Sequence, residues 1–282
     1  MTEFRPTRFQ ILPPVVKNIL IINVLVVLLQ LVLGSRGIDI SDYFGLHYWK
    51  SDLFRPWQLI THMFLHGSAD PAMFQTTLLH IFSNMFALWM FGSILENIWG
   101  PQRFLIFYFV CGLGAALLHL LVVGYDYNLL AHAFIRYTQD PSLDQYIYFI
   151  NQQDVGHIQG FATLRAFWES NPMCSNCPVE SVSLIQQYYN LKINEATVGA
   201  SGAVFGVLFA FGYLFPNTLI YLYFFVPVKA KYFVAFYALF ELYAGIRNSA
   251  GDNVAHFAHL GGMLFAFILL RIWKRNVRDR FY

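Results

Sequence analysis

Six long apolar segments dominate the chain and restrict it to a membrane fold. The first is Ile19–Leu33, extended back through Val15, and the others lie at about residues 77–95, 104–123, 201–215, 232–246 and 254–273. A helix needs about 20 mostly apolar residues to cross the hydrocarbon core of a bilayer. Charged residues make up only 12% of the chain, against roughly 25% in soluble domains. This composition excludes a soluble enzyme and a disordered chain, and the net charge of +2 gives no indication of nucleic-acid binding.

Basic residues predict how these six spans are oriented. Most of the 18 lysines and arginines fall in the N-terminal arm (1–14) and the start of the first span, in the tail and its approach (271–282), or in the connections after spans two and four. Because loops rich in Lys and Arg stay on the cytoplasmic side, both termini are predicted to be cytoplasmic. Residues 15–273 then form the membrane domain and 274–282 a basic tail. The first span is predicted to be retained, because Lys17 lies close to its start and no small-residue cleavage site follows.

A long segment between spans three and four, about residues 124–197, is predicted to face outward. A structureless loop of this length would be unusual, so we expect short helices in it, near Asp144–Ile150 and Val182–Tyr188. Cys174 and Cys177 form a CxxC pair in this segment. The pair is typical either of a redox or metal site or of a small structural disulfide. We favour the structural interpretation, because the outward side is expected to be oxidising.

Ser201 stands between glycines at the start of the fourth span, in the sequence Gly199-Ala200-Ser201-Gly202. The first amides of a helix lack intrahelical partners and can donate to an anion. A serine at this point can therefore act as a nucleophile with its own N–H as an oxyanion donor. Helix capping and small-residue packing are the structural alternative, since Gly202, Gly206 and Ala210 recur every four residues.

Two histidines, His256 and His259, open the sixth span. Histidine titrates near neutral pH, so one at membrane depth is a candidate general base. Small residues recur on this helix at four-residue spacing, namely Ala258, Gly262 and Ala266. Spans four and six are therefore predicted to touch, which would bring His259 to Ser201. A histidine that is merely hydrogen-bonded in the core is the alternative interpretation.

The nucleophile and base are predicted to act as a Ser–His dyad. Phe205 lies four residues after Ser201 on the same helical face, where its ring could pack on the imidazole of His259. The two nearby acids are Glu241, inside the fifth span, and Asp252, in the loop before the sixth. Either could support the histidine indirectly, but neither is assigned as the acid of a triad.

Polar residues in the second span supply candidate oxyanion donors. His80 and Asn84 are four residues apart and share one helical face. Acyl transfer needs donors directed at the developing oxyanion, and these side chains would join the Ser201 N–H. Hydrogen bonding between helices is the structural alternative. Glu96, at the cytoplasmic end of the same span, is predicted to be structural.

Together these residues resemble the rhomboid family of intramembrane serine proteases. The similarity runs from about residue 55 to 270 and includes WQLITHMFLH (57–66), HxxxN (80–84), GASG (199–202) and AHLGG (258–262). The resemblance implies a six-helix core, Ser201 as nucleophile, His259 as base, and an oxyanion hole formed by His80, Asn84 and the Ser201 backbone. It also implies cleavage of membrane-anchored proteins in or near a transmembrane segment, with no metal or nucleotide required.

The chain departs from the family pattern at Gln58 and His256 and matches it at His66. Many rhomboids carry Trp-Arg in the first outward loop, where this chain has Trp57-Gln58, so hydrogen bonding in that loop is expected to differ. His66 resembles a structural loop histidine of the family. His256 is an extra histidine one turn before the base, and we favour His259 because Gly261 and Gly262 follow it as in the family pattern.

Two other classes of protein share parts of this sequence pattern. A non-proteolytic rhomboid-like protein would bind membrane clients, but such relatives usually lack the serine or the histidine. A transporter would be expected to show internal repeats, and none is evident. The expected partners are therefore the bilayer and membrane-anchored substrates, with no prediction of oligomeric state. The lack of eukaryotic targeting signals favours a bacterial cytoplasmic membrane.

Overall fold

The structure, a computed structural model, describes residues 9–67, 71–222, 225–247 and 255–278. Its helices are α1 (Pro14–Gly34), α2 (Ser41–Phe44), α3 (Gln58–Thr61), α4 (Phe74–Ala87), α5 (Ser93–Trp99), α6 (Pro101–Gln139), α7 (Leu143–Gln152), α8 (Gln159–Ser170), α9 (Cys177–Ile193), α10 (Ser201–Leu214), α11 (Ala230–Arg247) and α12 (His256–Arg278). Strands β1 (Leu219–Leu222) and β2 (Val226–Lys229) pair antiparallel between α10 and α11. Short helical turns lie at His62–Phe64, Pro71–Met73 and Leu88–Gly92.

All six predicted spans correspond to helices. Among the described residues, four helical segments are long and apolar enough to cross a membrane: α1, Phe74–Trp99, α6 and the His256–Lys274 part of α12. Helix α10 is apolar but shorter, at 14 residues. Helix α11 has 18 residues, including Lys231, Glu241 and Arg247. The predicted all-α membrane fold is therefore confirmed, and the small hairpin of β1 and β2 is an addition to it.

The third span is much longer than its apolar stretch. Helix α6 continues to Gln139, well past residue 124, where the sequence predicted that the outward segment begins. After Gly124 the next helix-breaking residue is Pro141, so nothing in the sequence stops the helix earlier. Three helices follow α6. The two segments expected to be helical lie in α7, which includes Asp144–Ile150, and in α9, which includes Val182–Tyr188. Helix α8 lies between them.

The chain divides into two compact units. The bundle unit comprises residues 1–46, 55–119 and 196–282, and the insertion unit comprises residues 47–54 and 120–195. In the bundle unit, aliphatic and aromatic side chains from α1, α4, α6, α10 and α12 share one buried core. Glu96 has the structural role predicted for it, since its two carboxylate oxygens accept hydrogen bonds from the amides of Val15 and Val16, at 2.9 and 2.8 Å. These are first-turn amides of α1, which no intrahelical carbonyl can reach.

Aromatic side chains fill the core of the insertion unit. Tyr146 is fully buried, and its ring stacks on Phe161 with the centroids 6.3 Å apart and packs on Trp168 at 5.9 Å. Cys174 and Cys177 form a disulfide at the start of α9. The bond is compatible with the structural interpretation and with the oxidised form of a redox pair, whereas a metal site would need both thiols free.

Candidate active site

Glycine allows α10 and α12 to approach each other at backbone distance. A Cβ atom placed on Gly262 would lie only 1.8 Å from the carbonyl oxygen of Gly202, and one placed on Gly206 would lie 3.0 Å from that of Gly262. No side chain larger than hydrogen fits at Gly262 without a shift of the backbone. The predicted contact between spans four and six is thus present, and it is made by the small residues identified in the sequence.

This close approach brings Ser201 and His259 into hydrogen-bond contact. Ser201, the first residue of α10, has its Oγ atom 2.8 Å from Nε2 of His259. His259 lies in the first turn of α12 and is 7% exposed. Phe205 stacks on its imidazole with centroids 4.1 Å apart and planes 5° apart. The ring is therefore held on one face, and Nε2 is directed at the serine.

A carboxylate contacts the other nitrogen of the same imidazole. Oε2 of Glu241, on α11, lies 2.8 Å from Nδ1 of His259 and 2.6 Å from Nδ1 of His256. From the sequence, Glu241 was one of two acids that could support the histidine, and it was not assigned as the acid of a triad; the structure places it in direct contact with the imidazole. Glu241 has no motif around it, so only the helix packing reveals that it faces His259. Asp252, the other acid considered, lies outside the described residues.

Gly199 shapes the backbone immediately before the serine. Its φ of +134° is a conformation that glycine adopts readily and other residues rarely do. A Cβ there would lie 3.4 Å from Cε1 of His80 and 3.6 Å from Oγ of Ser201. The His80 side chain therefore borders the small space in front of the serine. Asn84, on the same helix α4, is 6% exposed.

Comparison with known proteins identifies the family of the chain. The family model described as Rhomboid domain matches residues 54–135 and 179–276. The chain belongs to the rhomboid family. It is also 25% identical over 218 residues to RHOMBOID-like protein 12, mitochondrial, from Arabidopsis thaliana, an alignment covering 77% of this chain and 48% of that protein. The chain thus spans about half the length of this relative, and no solved structure matches it significantly.

The first loop of this rhomboid is organised by Gln58, where many family members have arginine. Its side-chain oxygen accepts a hydrogen bond from the Arg55 amide at 3.0 Å, and its amide nitrogen donates to the carbonyl of Tyr43 at 3.3 Å. Its own carbonyl lies 2.7 Å from Nδ1 of His62. The glutamine therefore joins the loop to its surroundings through neutral hydrogen bonds.

Two loop histidines support the active-site region through their backbone groups, and their buried imidazoles are neutral. The carbonyl of His62 accepts the Gly199 amide at 2.9 Å, and the amide of His66 donates to the Gln30 side chain at 3.0 Å. Burial lowers the pKa of His62 to about 4 and that of His66 to about 3. Both contribute stability at neutral pH that is lost as the pH falls below 6.5 toward these values, since the unfolded chain binds the protons more tightly.

A narrow cavity adjoins the serine on the side of helix α6. His62, His119, Thr197, Gly199 and Ser201 are among its lining residues. Nε2 of His119 lies 2.7 Å from Oγ1 of Thr197. This cavity gives the rhomboid a space next to the candidate nucleophile that is lined by small apolar residues and a few polar side chains.

Within the described parts of the chain, Glu241, His256 and His259 also form a group that could be considered for a metal ion. Their nitrogen and oxygen atoms lie within 4.8 Å of one another. Two ligands of a tetrahedral zinc ion lie about 3.3 Å apart, given zinc–ligand bonds of roughly 2 Å. The contacts from Glu241 to the histidines, at 2.6 and 2.8 Å, are shorter and have hydrogen-bond lengths. Hydrogen bonding therefore accounts for the group better than a metal does.

Proposed function

We propose that this rhomboid is an intramembrane serine endopeptidase that cleaves membrane-anchored proteins in or near their transmembrane segments. The observation that carries the proposal is the 2.8 Å contact between Oγ of Ser201 and Nε2 of His259. A nucleophile and a base within hydrogen-bond reach, with the base held by further contacts, are the signature of covalent serine catalysis.

The reaction follows from these two side chains. Nε2 of His259 takes the hydroxyl proton as Oγ of Ser201 attacks the scissile carbonyl carbon, and the resulting imidazolium returns the proton to the leaving amine when the C–N bond breaks. Water then hydrolyses the acyl-enzyme with the same histidine as base. Phe205 keeps the imidazole ring oriented through both steps.

Asn84 and His80 are proposed to stabilise the oxyanion together with the Ser201 N–H. Among the described residues, the side-chain nitrogen of Asn84 is a buried donor that has no hydrogen-bond partner. Leaving such a donor unpaired costs about 1–3 kcal/mol, a cost that is consistent with a donor kept for a transition state. His80 borders the space beside Ser201.

The rhomboid is an integral membrane protein, and we infer that both of its termini are cytoplasmic. The Lys and Arg distribution supports this orientation, and the Cys174–Cys177 disulfide supports an oxidising compartment around the insertion unit. A bacterial cytoplasmic membrane would meet both conditions, whereas the plant relative is named as mitochondrial. Reporter fusions after residue 282, active only in the cytoplasm or only outside it, test the orientation, and a signal from the outside reporter would reverse it.

Serine reactivity tests the proposed function directly. Purified protein in liposomes is treated with a fluorophosphonate probe while a single-span model substrate is cleaved in parallel. We expect labelling and cleavage in the wild type, and a loss of at least 10³-fold for Ser201→Ala and His259→Ala with unchanged melting temperatures, since a nucleophile and its base act as a unit. His256→Ala should retain substantial activity. The reverse result would make His256 the base.

A non-proteolytic client-binding role is the alternative for this family member. Folded wild-type protein that is neither labelled nor active on the model substrate would favour it and overturn the proposal. Loss of folding together with activity in Ser201→Ala would instead indicate that the serine serves helix packing.

The oxyanion role of Asn84 has its own test. Asn84→Ala should lower kcat by about 10²–10³-fold, the usual effect of removing one such donor. KM for the model substrate should stay within about twofold, because the donor acts on the transition state. An unchanged kcat would show that this side chain is not an oxyanion donor.

A further inference from the structure

Glu241 is a buried carboxylate to which the mechanism above gives no role. It lies inside α11 and is 4% exposed. Burying an ionised carboxylate among apolar helices is costly, and such groups at membrane depth are usually paired and functional. Its carboxylate contacts the two histidines at the start of α12, and one of them is the proposed base.

The order of contacts is that of a relay from acid to base to nucleophile. Oε2 of Glu241 lies 2.8 Å from Nδ1 of His259, whose Nε2 lies 2.8 Å from Oγ of Ser201. A carboxylate can only accept hydrogen bonds, so Nδ1 must carry the proton in this contact. Nε2 is then the unprotonated nitrogen, which is the form that a general base requires.

We propose that Glu241 is a positioning residue that converts the Ser201–His259 pair into a Ser–His–Glu arrangement, with His256 holding the carboxylate in place. This inference rests on the proposed protease function and adds to it. Glu241 fixes the tautomer of His259 and stabilises the imidazolium formed when the Ser201 proton moves to Nε2. The Nδ1 proton stays on the histidine and the carboxylate remains ionised throughout.

His256 accounts for the placement of the acid. Nδ1 of His256 lies 2.6 Å from the same oxygen, so Oε2 accepts from both rings. The two imidazoles are nearly perpendicular, with an interplanar angle of 87°. Two donors on one oxygen restrict the rotation of the Glu241 side chain more than either would alone.

The discriminating variant is Glu241→Gln, which preserves size but removes the charge. Its amide group can donate to Nδ1 and so favour the tautomer with the proton on Nε2, which cannot accept from Ser201. Replacing the acid of a soluble Ser–His–Asp triad by its amide lowers kcat about 10⁴-fold. We expect about 10²-fold here, because the stacking of Phe205 continues to hold the ring.

The readouts separate positioning from folding. For Glu241→Gln the rate constant of fluorophosphonate labelling and kcat should fall by the same factor, while KM and the final labelled fraction of Ser201 stay at wild-type values. A structural role would instead lower the labelled fraction or the melting temperature and leave the rate constant of the folded fraction unchanged. That result would overturn the proposal.

Glu96→Gln is the matched control. Glu96 is, in the described part of the bundle unit, the other buried glutamate; it is 2% exposed and accepts hydrogen bonds from backbone amides of α1. The same substitution there should lower the melting temperature and leave the labelling rate constant unchanged. If Glu241→Gln does not fold, Glu241→Asp keeps the charge on a shorter side chain and should reduce the rate about tenfold. A wild-type rate in that variant would contradict positioning by the carboxylate.

Four further outcomes distinguish the roles of His256, a bound metal, the protease function and Glu241. His256→Ala should lower the labelling rate by less than Glu241→Gln does, because the acid keeps its contact with His259; a larger loss would make His256 the base. A change in the wild-type labelling rate on treatment with EDTA would indicate a bound metal and overturn the hydrogen-bond relay. Absence of labelling in folded wild type would reject the protease function itself, whereas wild-type labelling with an unaffected Glu241→Gln rate would reject only this inference.

Discussion

The bundle unit and the insertion unit are held together in different ways. The bundle unit has aromatic packing too, as of Phe91 on Phe211. It adds contacts of glycine against backbone, as between Gly262 and Gly202, and hydrogen bonds to buried carboxylates such as Glu96. In the insertion unit large aromatic rings pack on one another, as Tyr146 does on Phe161. Both units are built of α-helices, but the residues through which the helices of each unit pack on one another differ.

A difference of this kind is expected between helices that pack in lipid and helices that pack in water. Lipid chains are as apolar as leucine, so helices in a bilayer gain little from burying apolar area and associate through close fit and hydrogen bonds. Helices in water gain about 25 cal/mol for each Å² of apolar surface buried, which favours large rings. Close fit also fixes atom positions, and the residues of the candidate active site all belong to the bundle unit.

The largest effect is expected from Gly262→Ala. The added Cβ would lie 1.8 Å from the Gly202 carbonyl oxygen, so α10 and α12 must separate by an ångström or more. A misplacement of about 1 Å can cost 10²-fold in rate, and we expect at least that loss in fluorophosphonate labelling, together with a lower melting temperature. A wild-type labelling rate would show that close approach of the helices does not position Ser201 and His259.

Phe161→Ala tests the other side of the comparison. Phe161 is 2% exposed in the aromatic core, and truncating a buried Phe typically costs 3–5 kcal/mol. Limited proteolysis should show cleavage within residues 143–193, while the labelling rate constant of Ser201 stays within about twofold. A parallel loss of labelling would mean that the two units are not energetically separate. Exposed Phe167, replaced by alanine, is the control and should change neither readout.

These contrasts also explain how far the sequence could predict the structure. The spans, Ser201, His259 and the small-residue contact were predictable because each depends on a local run or a four-residue spacing. The direct contact of Glu241 was not, because no motif or small-residue spacing surrounds it and only the packing of α11 and α12 brings its carboxylate to the two histidines. The extension of α6 was missed because its polar, aromatic sequence after Gly124 resembles a loop, although it lacks a helix breaker before Pro141.

Removing the disulfide should have a moderate effect confined to the insertion unit. Cys174 and Cys177 close a very short loop, for which loop entropy predicts about 2 kcal/mol of stabilisation. The Cys174→Ser/Cys177→Ser variant should therefore show faster proteolysis near α9 and an unchanged labelling rate. Wild-type protein treated with a reducing agent should behave in the same way. A difference between the two would indicate that the serine side chains, rather than the missing bond, cause the effect.

The smallest effect is expected from Gly160→Ala, the counterpart of Gly262→Ala in the insertion unit. A Cβ on Gly160 would meet Cδ1 of Leu184 at 3.4 Å, which is ordinary van der Waals contact. Gly160 lies near the start of α8, and alanine is favoured over glycine by up to about 1 kcal/mol within a helix. We therefore expect a small gain of about 0.5 kcal/mol, seen as slower proteolysis of α8.

Destabilisation comparable to that of Gly262→Ala would show that tight glycine contacts are not particular to the bundle unit. The same substitution, neutral or stabilising here and disruptive there, would show that the position of a glycine in a close helix contact determines its importance.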